Sequence, residues 1–244
     1  MFKSVIPCYV GYDAREAAAW HVWCQSVLQR CSQPVAFIPL HGPMLNDFDG
    51  QKDGSNAFIY SRFLVPYLTG YSGWALFVDG DMVCLEDLSE LWKIRESLVF
   101  DKAVAVVKHN YKTRHDRKYI GTPMEANNHD YPRKNWTSVM LWNCAHYSNR
   151  ILTPEFVREA SGSFLHRFSW LKDDQIAELP PEWNVLAEEQ DAACAKLIHY
   201  TCGVPGFEHY QNCEGAEHWH RTLKAVNHLE GEKHERRIKV HAVK

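Results

Sequence analysis

The stretch WALFVDGDM, Trp74 to Met82, sets two carboxylates one residue apart where an apolar run ends. Glycines at 73 and 80 bound the run, whose length and composition suit a buried strand. In an open parallel sheet, ligands bind at the carboxyl ends of the strands, and side chains at i and i+2 of an extended segment point the same way. Asp79 and Asp81 can therefore approach one ion together. A hard divalent cation such as Mg²⁺ or Mn²⁺ takes oxygen ligands and commonly bridges carboxylates to substrate phosphates. The competing reading is a plain turn, because Asp-Gly is a frequent turn pair.

The rest of the chain supports an α/β frame around this strand. Ser4 to Val10, SVIPCYV, reads as a buried first strand, followed by a loop at Gly11-Tyr12. Asp13 and Glu16 form an acidic version of the capping box ahead of a helix with Trp20, Cys24, Val27, Leu28 and Cys31 on one face. Strand, loop and capped helix open an α/β domain, and the loop at the head of its first strand is a natural nucleotide site. Tyr12 there is either a base-stacking ring or a half-buried aromatic.

Further strands are expected at Pro34–Leu40, Ala103–His109, Trp136–Asn143 and Lys196–Thr201, and a short one within LPPEWNVL. Helices are expected at Ser55–Leu68, interrupted near Pro66, at Leu85–Ile94, through most of Pro154–Leu171, and at Glu214–Leu229. Arg62 is the odd residue on the second of these five helices and is placed to pair with the carboxylates or a phosphate. A Gly/Asp-rich loop fills His41–Gly54. The polar, basic stretch Asn110–Lys134 has little periodicity, and so long a loop is a candidate lid or acceptor-side element, with a mere surface excursion as the competing reading.

Composition narrows the function classes. At 244 residues and 45% hydrophobic the chain can bury roughly 70% of its unfolded surface. One domain over 1–229 with a charged tail over 230–244 is favoured over two domains. A formal charge of −3, with no basic stripe interleaved with aromatics, excludes a nucleic-acid binder. The eight cysteines contain no C-x-x-C pair, which suits reduced thiols in the cytoplasm. The N-terminal segment turns polar too early for a signal peptide, and no run of 18 apolar residues exists, so membrane contact is at most peripheral.

Four segments, taken in order, resemble a known family: YSRFLVPYL, FVDGDMVCLEDLSELW, LPPEWNVL and HYTCGVPGF. Together they are similar to the retaining glycosyltransferases of the glycogenin and bacterial lipopolysaccharide galactosyltransferase type, across Val5 to about His209. The resemblance implies a GT-A fold, a Rossmann-like, mostly parallel sheet flanked by helices. It also implies a hexose donor linked to a nucleoside diphosphate, UDP first, a Mn²⁺ or Mg²⁺ ion, and a saccharide or other hydroxyl acceptor. By the same resemblance Asp79, Asp81 and His199 hold the metal. Tyr12, Asp13, Arg62, Gly80 and Gly203 contact the donor, and Asp174 and Gln175 flank the anomeric carbon.

This chain departs from the family pattern in three places. Gly-Tyr-Asp replaces the usual acidic pair, gap and aromatic residue after the first strand. WTSV stands where the family has N-A-G-V, leaving Thr137 and Ser138 at the donor pocket. Val204-Pro205-Gly206 supplies no lysine for the phosphates, a role the basic 110–134 loop could fill. The rival readings are a sugar nucleotidyltransferase, a non-catalytic nucleotide-sugar or carbohydrate module, and a zinc site from His199, Cys202, His209 and Cys213. GYDARE lacks the glycines of the first rival, and the cysteine spacing of the last is not a zinc-finger pattern.

Overall fold

The computed structural model describes residues 4–46, 48, 56–99 and 101–227. The expected tail over 230–244 and half of the Gly/Asp-rich loop lie outside the described residues. In chain order the strands are β1 (Ile6–Gly11), β2 (Val35–Leu40), β3 (Trp74–Val78), β4 (Met82–Cys84), β5 (Val104–Val106), β6 (Arg117–Lys118), β7 (Ala126–Asn127), β8 (Val139–Asn143), β9 (Ile176–Glu178), β10 (Val185–Leu186) and β11 (Leu197–His199). The α-helices are α1 (Ala17–Leu28), α2 (Val65–Leu68), α3 (Leu88–Lys93), α4 (Pro154–Glu159), α5 (Gly162–His166) and α6 (Ala216–Val226).

The main sheet has the order β2-β1-β3-β8-β5-β9, and only β8 runs against the others. Such a sheet is covered on both faces, so its strands carry near-continuous apolar runs rather than alternation. WALFV follows this rule, with Ala75 through Val78 fully buried. Ala75 and Phe77 pack on one side with Phe58, Phe63, Trp142 and Phe168. Leu76 and Val78 pack on the other with Trp23 and Val27 of α1 and Leu91 and Trp92 of α3.

A second sheet, β10-β11-β4, begins as soon as the acidic triplet ends. β4 pairs antiparallel with β11, which sets His199 opposite Met82, and the Tyr200 N–H donates to the Asp81 carbonyl at 2.9 Å. The Asp79 N–H donates to the Ser138 carbonyl at 2.9 Å. The triplet is therefore pinned on one side to the main sheet and on the other to the small one. A third core, with Val22, Val83, Ile198 and Trp219, seals the small sheet against α1 and α6.

Several elements differ from the sequence reading. Leu28 is 65% exposed because α1 is buried along Ala19, Val22, Trp23, Ser26 and Val27, a face shared between two cores. Pro66 does not interrupt a helix. It sits in the first turn of α2, where its missing N–H costs nothing, after a 3₁₀ turn over Ser61–Leu64. The helix expected through Leu171 is two short ones, restarted by Ser161 capping the Phe164 N–H at 3.2 Å. The short strands β4 and β9 were not expected at all. The 110–134 segment is tied down by the β6–β7 ladder and by the Tyr119 N–H on the Cys202 carbonyl.

The junction between the sheets imposes one steric demand. A Cβ on Gly80 would lie 2.4 Å from the Gly11 carbonyl oxygen, which is backbone and cannot swing away. Gly80→Ala should cost about 1–3 kcal/mol of stability as overpacking. Urea unfolding checks this, and a loss below about 0.5 kcal/mol would show that the two strand ends separate freely.

Candidate functional site

Asp79 and Asp81 leave the end of β3, and His199 closes β11 beside them; all three are under 8% exposed. His199 Nε2 lies 3.3 Å from Asp81 Oδ1 and 3.9 Å from Asp79 Oδ2. The direction of the neighbouring hydrogen bonds fixes the imidazole's tautomer. Ser138 Oγ donates to the Asn135 carbonyl at 2.7 Å, so it accepts from the Asn184 amide at 2.8 Å. The Asn184 amide oxygen then faces His199 Nδ1 at 3.2 Å and accepts a hydrogen bond from its N–H. His199 thus presents Nε2 to the two carboxylates, where a bound cation would take its lone pair.

Left as it stands, that arrangement is unfavourable. Asp81 Oδ1 is out of solvent with no hydrogen-bond partner. Burial pushes the Asp79 carboxyl up to about 6, with Arg62 opposing the shift and Asp81 reinforcing it. Two carboxylate oxygens and one imidazole nitrogen, mutually within 4.8 Å, are a donor set that a divalent cation satisfies. Buried groups perturbed in this way mark functional sites more often than structural ones.

Arg62 supplies the balancing positive charge. Its Nη1 lies 2.8 Å from Asp79 Oδ1 and donates to the Thr137 carbonyl at 3.0 Å. The guanidinium sits 5.2 and 5.1 Å from the ring centres of Phe58 and Phe77, which fix its plane. A cavity of about 70 Å³ opens over these groups, lined also by Lys118, Tyr119, Asn135, Thr137, Ser138 and His166. Burial lowers the Lys118 ammonium's pKa while Asp81 and Asp79 oppose that shift. Burial drives His166 down to about 3, so it is neutral, and its Nδ1 lies 2.8 Å from the Thr137 hydroxyl.

The other sequence-derived candidates fall elsewhere. Asp13 accepts from the Arg15 and Ala57 backbone N–H groups, both at 3.0 Å, and ties the loop after β1 to the segment leading to Arg62. Tyr12 packs edge-on against His41, with ring centres 4.7 Å apart. Neither lines the cavity. Gly203 has φ +154, and its missing Cβ makes room for the Tyr210 ring. The Tyr210 hydroxyl in turn accepts from the Ile120 N–H at 3.1 Å, so this glycine holds the basic loop rather than facing the carboxylates.

Asp174 and Gln175 are not brought to this site. They precede β9, which pairs parallel with β5 from Ile176 opposite Val104, so they lie at the amino ends of strands whose carboxyl ends carry Asp79. Gln175 spends its amide on the Tyr147 and Ser148 hydroxyls at 3.1 and 3.0 Å and on the Lys172 N–H at 3.0 Å. Asp174 is exposed, and its carbonyl accepts from Lys102. Strand direction thus sets the pair expected to flank the anomeric carbon at the opposite end of the sheet from Asp79 and Asp81. The four-residue zinc set is likewise not assembled, because His199 faces the aspartates.

Sequence reasoning passed over Asn184, Lys118 and Glu16. The first stands unremarked within LPPEWNVL, and the second lies in a loop noted only for its basic content. Glu16 was read as a capping residue, yet its side chain makes no cap, is 7% exposed and leaves Oε2 without a hydrogen-bond partner. Burial, then the Asp81, Asp13 and Asp79 charges, push its carboxyl well above the usual range.

No family model matches the chain. Among solved structures it is similar to the WbbM bifunctional glycosyltransferase, with a TM-score of 0.60, 14% identity and 91% of this chain covered. The chain spans only 50% of that structure's length. It is also similar to the galactosyltransferase LgtC in complex with donor and acceptor sugar analogues, with a TM-score of 0.55 and 14% identity over 90% of this chain and 96% of that one. Mouse xyloside xylosyltransferase 1 gives a TM-score of 0.53 and 12% identity over 82% of this chain and 99% of that one. These likenesses establish the fold as the GT-A glycosyltransferase fold. At the level of sequence, Protein CDI of Arabidopsis thaliana is 38% identical over 238 residues, 92% of this chain and 88% of that protein. The chain belongs to the family of Protein CDI.

Proposed function

We propose that the protein transfers a hexose from a nucleoside diphosphate sugar, UDP-hexose first, to a hydroxyl acceptor, with a divalent cation and with retention of configuration. The observation that carries this reading is the buried Asp79, Asp81 and His199 set, with His199 Nε2 aimed at the carboxylates by Asn184. The resemblance in sequence supports the donor class and the stereochemistry, and the likeness of fold to LgtC, solved with donor and acceptor sugar analogues, supports a sugar donor and a saccharide acceptor in general.

In this reading Asp79, Asp81 and His199 hold a Mn²⁺ or Mg²⁺ ion, which when bound neutralises charge on the departing diphosphate. Arg62 keeps the two carboxylates from repelling one another before substrate arrives. Lys118, across the same cavity, supplies the phosphate-binding cation that Val204-Pro205-Gly206 lacks. The sugar lies toward Asn135, Thr137 and His166, whose oxygen and nitrogen dipoles face a developing oxocarbenium ion. Apart from the proposed metal ligands, these lining residues include no carboxylate to act as a covalent nucleophile. In this reading the acceptor oxygen bonds to the anomeric carbon on the face from which the diphosphate departs as the bond from that carbon to the diphosphate oxygen breaks, and the acceptor's proton passes to a diphosphate oxygen.

A screen of nucleotide sugars with Mn²⁺, with product configuration read by NMR, tests the proposal. Turnover with retention is expected; an inverted product would refute the stereochemistry, and binding without turnover would make the protein a sugar-nucleotide module. Asp81→Asn should lower kcat/KM by about 100-fold or more, since several kcal/mol of charge stabilisation is removed. Asn184→Ala frees the imidazole to rotate and should raise the metal concentration for half-maximal activity about 10- to 100-fold. Lys118→Ala should raise the donor KM about tenfold, the worth of one charge-assisted hydrogen bond; an unchanged KM would remove Lys118 from the donor site.

A further inference from the structure

A second group of metal-ligating side chains lies outside the cavity just described. His115 comes from the basic loop, Glu189 follows β10, and Cys202 follows β11. His115 Nδ1 and the Cys202 sulfur are each 3.7 Å from Glu189 Oε1, and all three ligand atoms lie within 4.8 Å of one another. Tetrahedral zinc, with bonds of about 2.0 Å to nitrogen or oxygen and about 2.3 Å to sulfur, places ligand atoms about 3.5 Å apart. The observed spacings sit close to that before any ion draws the groups together.

The charge balance points the same way. The Glu189 side chain is fully buried, and its ion-pair neighbour is the His115 imidazole. Its other oxygen accepts from the Arg114 N–H at 2.6 Å, while Oε1 accepts a long hydrogen bond from the Asn128 amide at 3.4 Å and faces the Cys202 thiol and the His115 imidazole. Lys134, whose ammonium donates to the Asn128 side-chain oxygen at 2.6 Å, offsets the Glu189 charge from a distance, and an ion held by Glu189, His115 and Cys202 would offset it at contact. His115 Nε2 lies 4.0 Å from Glu188 Oε2, placing a carboxylate behind the imidazole, as is usual for a zinc-bound histidine. A cavity of about 240 Å³ beside the group is lined by His115 and Cys202 together with Arg117, Glu188, His209 and Cys213.

We propose that His115, Glu189 and Cys202 form a second metal site, selective for zinc over the hard cations suited to Asp79 and Asp81. Thiolate and imidazole favour zinc, whereas an oxygen-rich set favours Mn²⁺ or Mg²⁺. Binding converts the Cys202 thiol to a zinc-bound thiolate and releases its proton to solvent. The ion would join three separate segments. Two of them also line the first cavity, through Lys118 three residues after His115 and Thr201 next to Cys202. Its role is then to clamp the basic loop over the β11 end. The metal site itself stands whether or not the sugar-transfer reading does.

The test is zinc alone, measured by elemental analysis of the purified full chain and by competition with a chromophoric chelator. The wild type should carry about one zinc ion per chain, and His115→Ala should weaken zinc binding at least tenfold. Asp81→Asn should retain zinc with wild-type affinity, because the two sites are distinct. Cys202→Ser should behave as His115→Ala does; if its buried position prevents folding, His115→Ala, whose side chain is 45% exposed, still decides. A wild type that binds no zinc against the chelator would overturn the proposal. So would wild-type zinc affinity in His115→Ala, or zinc that disappears with Asp81→Asn.

Discussion

Two carboxylates and an imidazole nitrogen converge at the seam between two sheets, and the groups around that seam are arranged to hold them there. Asp79 is anchored to the main sheet through Ser138, and Asp81 to the small sheet through Tyr200. His199 is turned by Asn184, which is itself oriented by Ser138. Bringing like-signed groups out of water costs several kcal/mol per ion unless a counter-charge is present. Arg62 supplies one counter-charge, and the geometry suits a divalent ion for the remainder.

The same seam explains which local features matter. Gly80 is glycine because the Gly11 carbonyl passes where a Cβ would stand, so the carboxylates can approach the first strand only across a bare backbone. Glu16, at the start of α1, points inward toward the same charges instead of capping its helix. The basic loop contributes Lys118 and Tyr119 to the cavity and is held by the Tyr119 N–H on the Cys202 carbonyl. A loop so attached can present positive charge to a diphosphate without a lysine in the late glycine motif.

The sheet's centre was legible in the sequence because burial on both faces leaves an uninterrupted apolar run, as in WALFV and VMLWN. The metal-type triad was legible because D-x-D at a strand end and a late His-Tyr motif are local patterns whose order along the chain is specific. Asn184 and Lys118 were not, since each acts through a partner distant in sequence and carries no local signature. The placement of Asp174-Gln175 was not legible for a related reason: a dipeptide match does not encode the direction of the strand that follows it. Strand β9 proved to run parallel to β5, which sends the pair to the far end of the sheet.

The central claim, one hard cation shared by Asp79, Asp81 and the Nε2 of His199, is tested most directly by pulsed electron paramagnetic resonance of Mn²⁺ added to the protein with UDP. The account predicts a single bound Mn²⁺ whose spectrum carries nitrogen hyperfine coupling from one histidine. That coupling should change on ¹⁵N-histidine labelling and vanish in His199→Gln. A protein-bound Mn²⁺ without imidazole coupling, or coupling that survives His199→Gln, would contradict it.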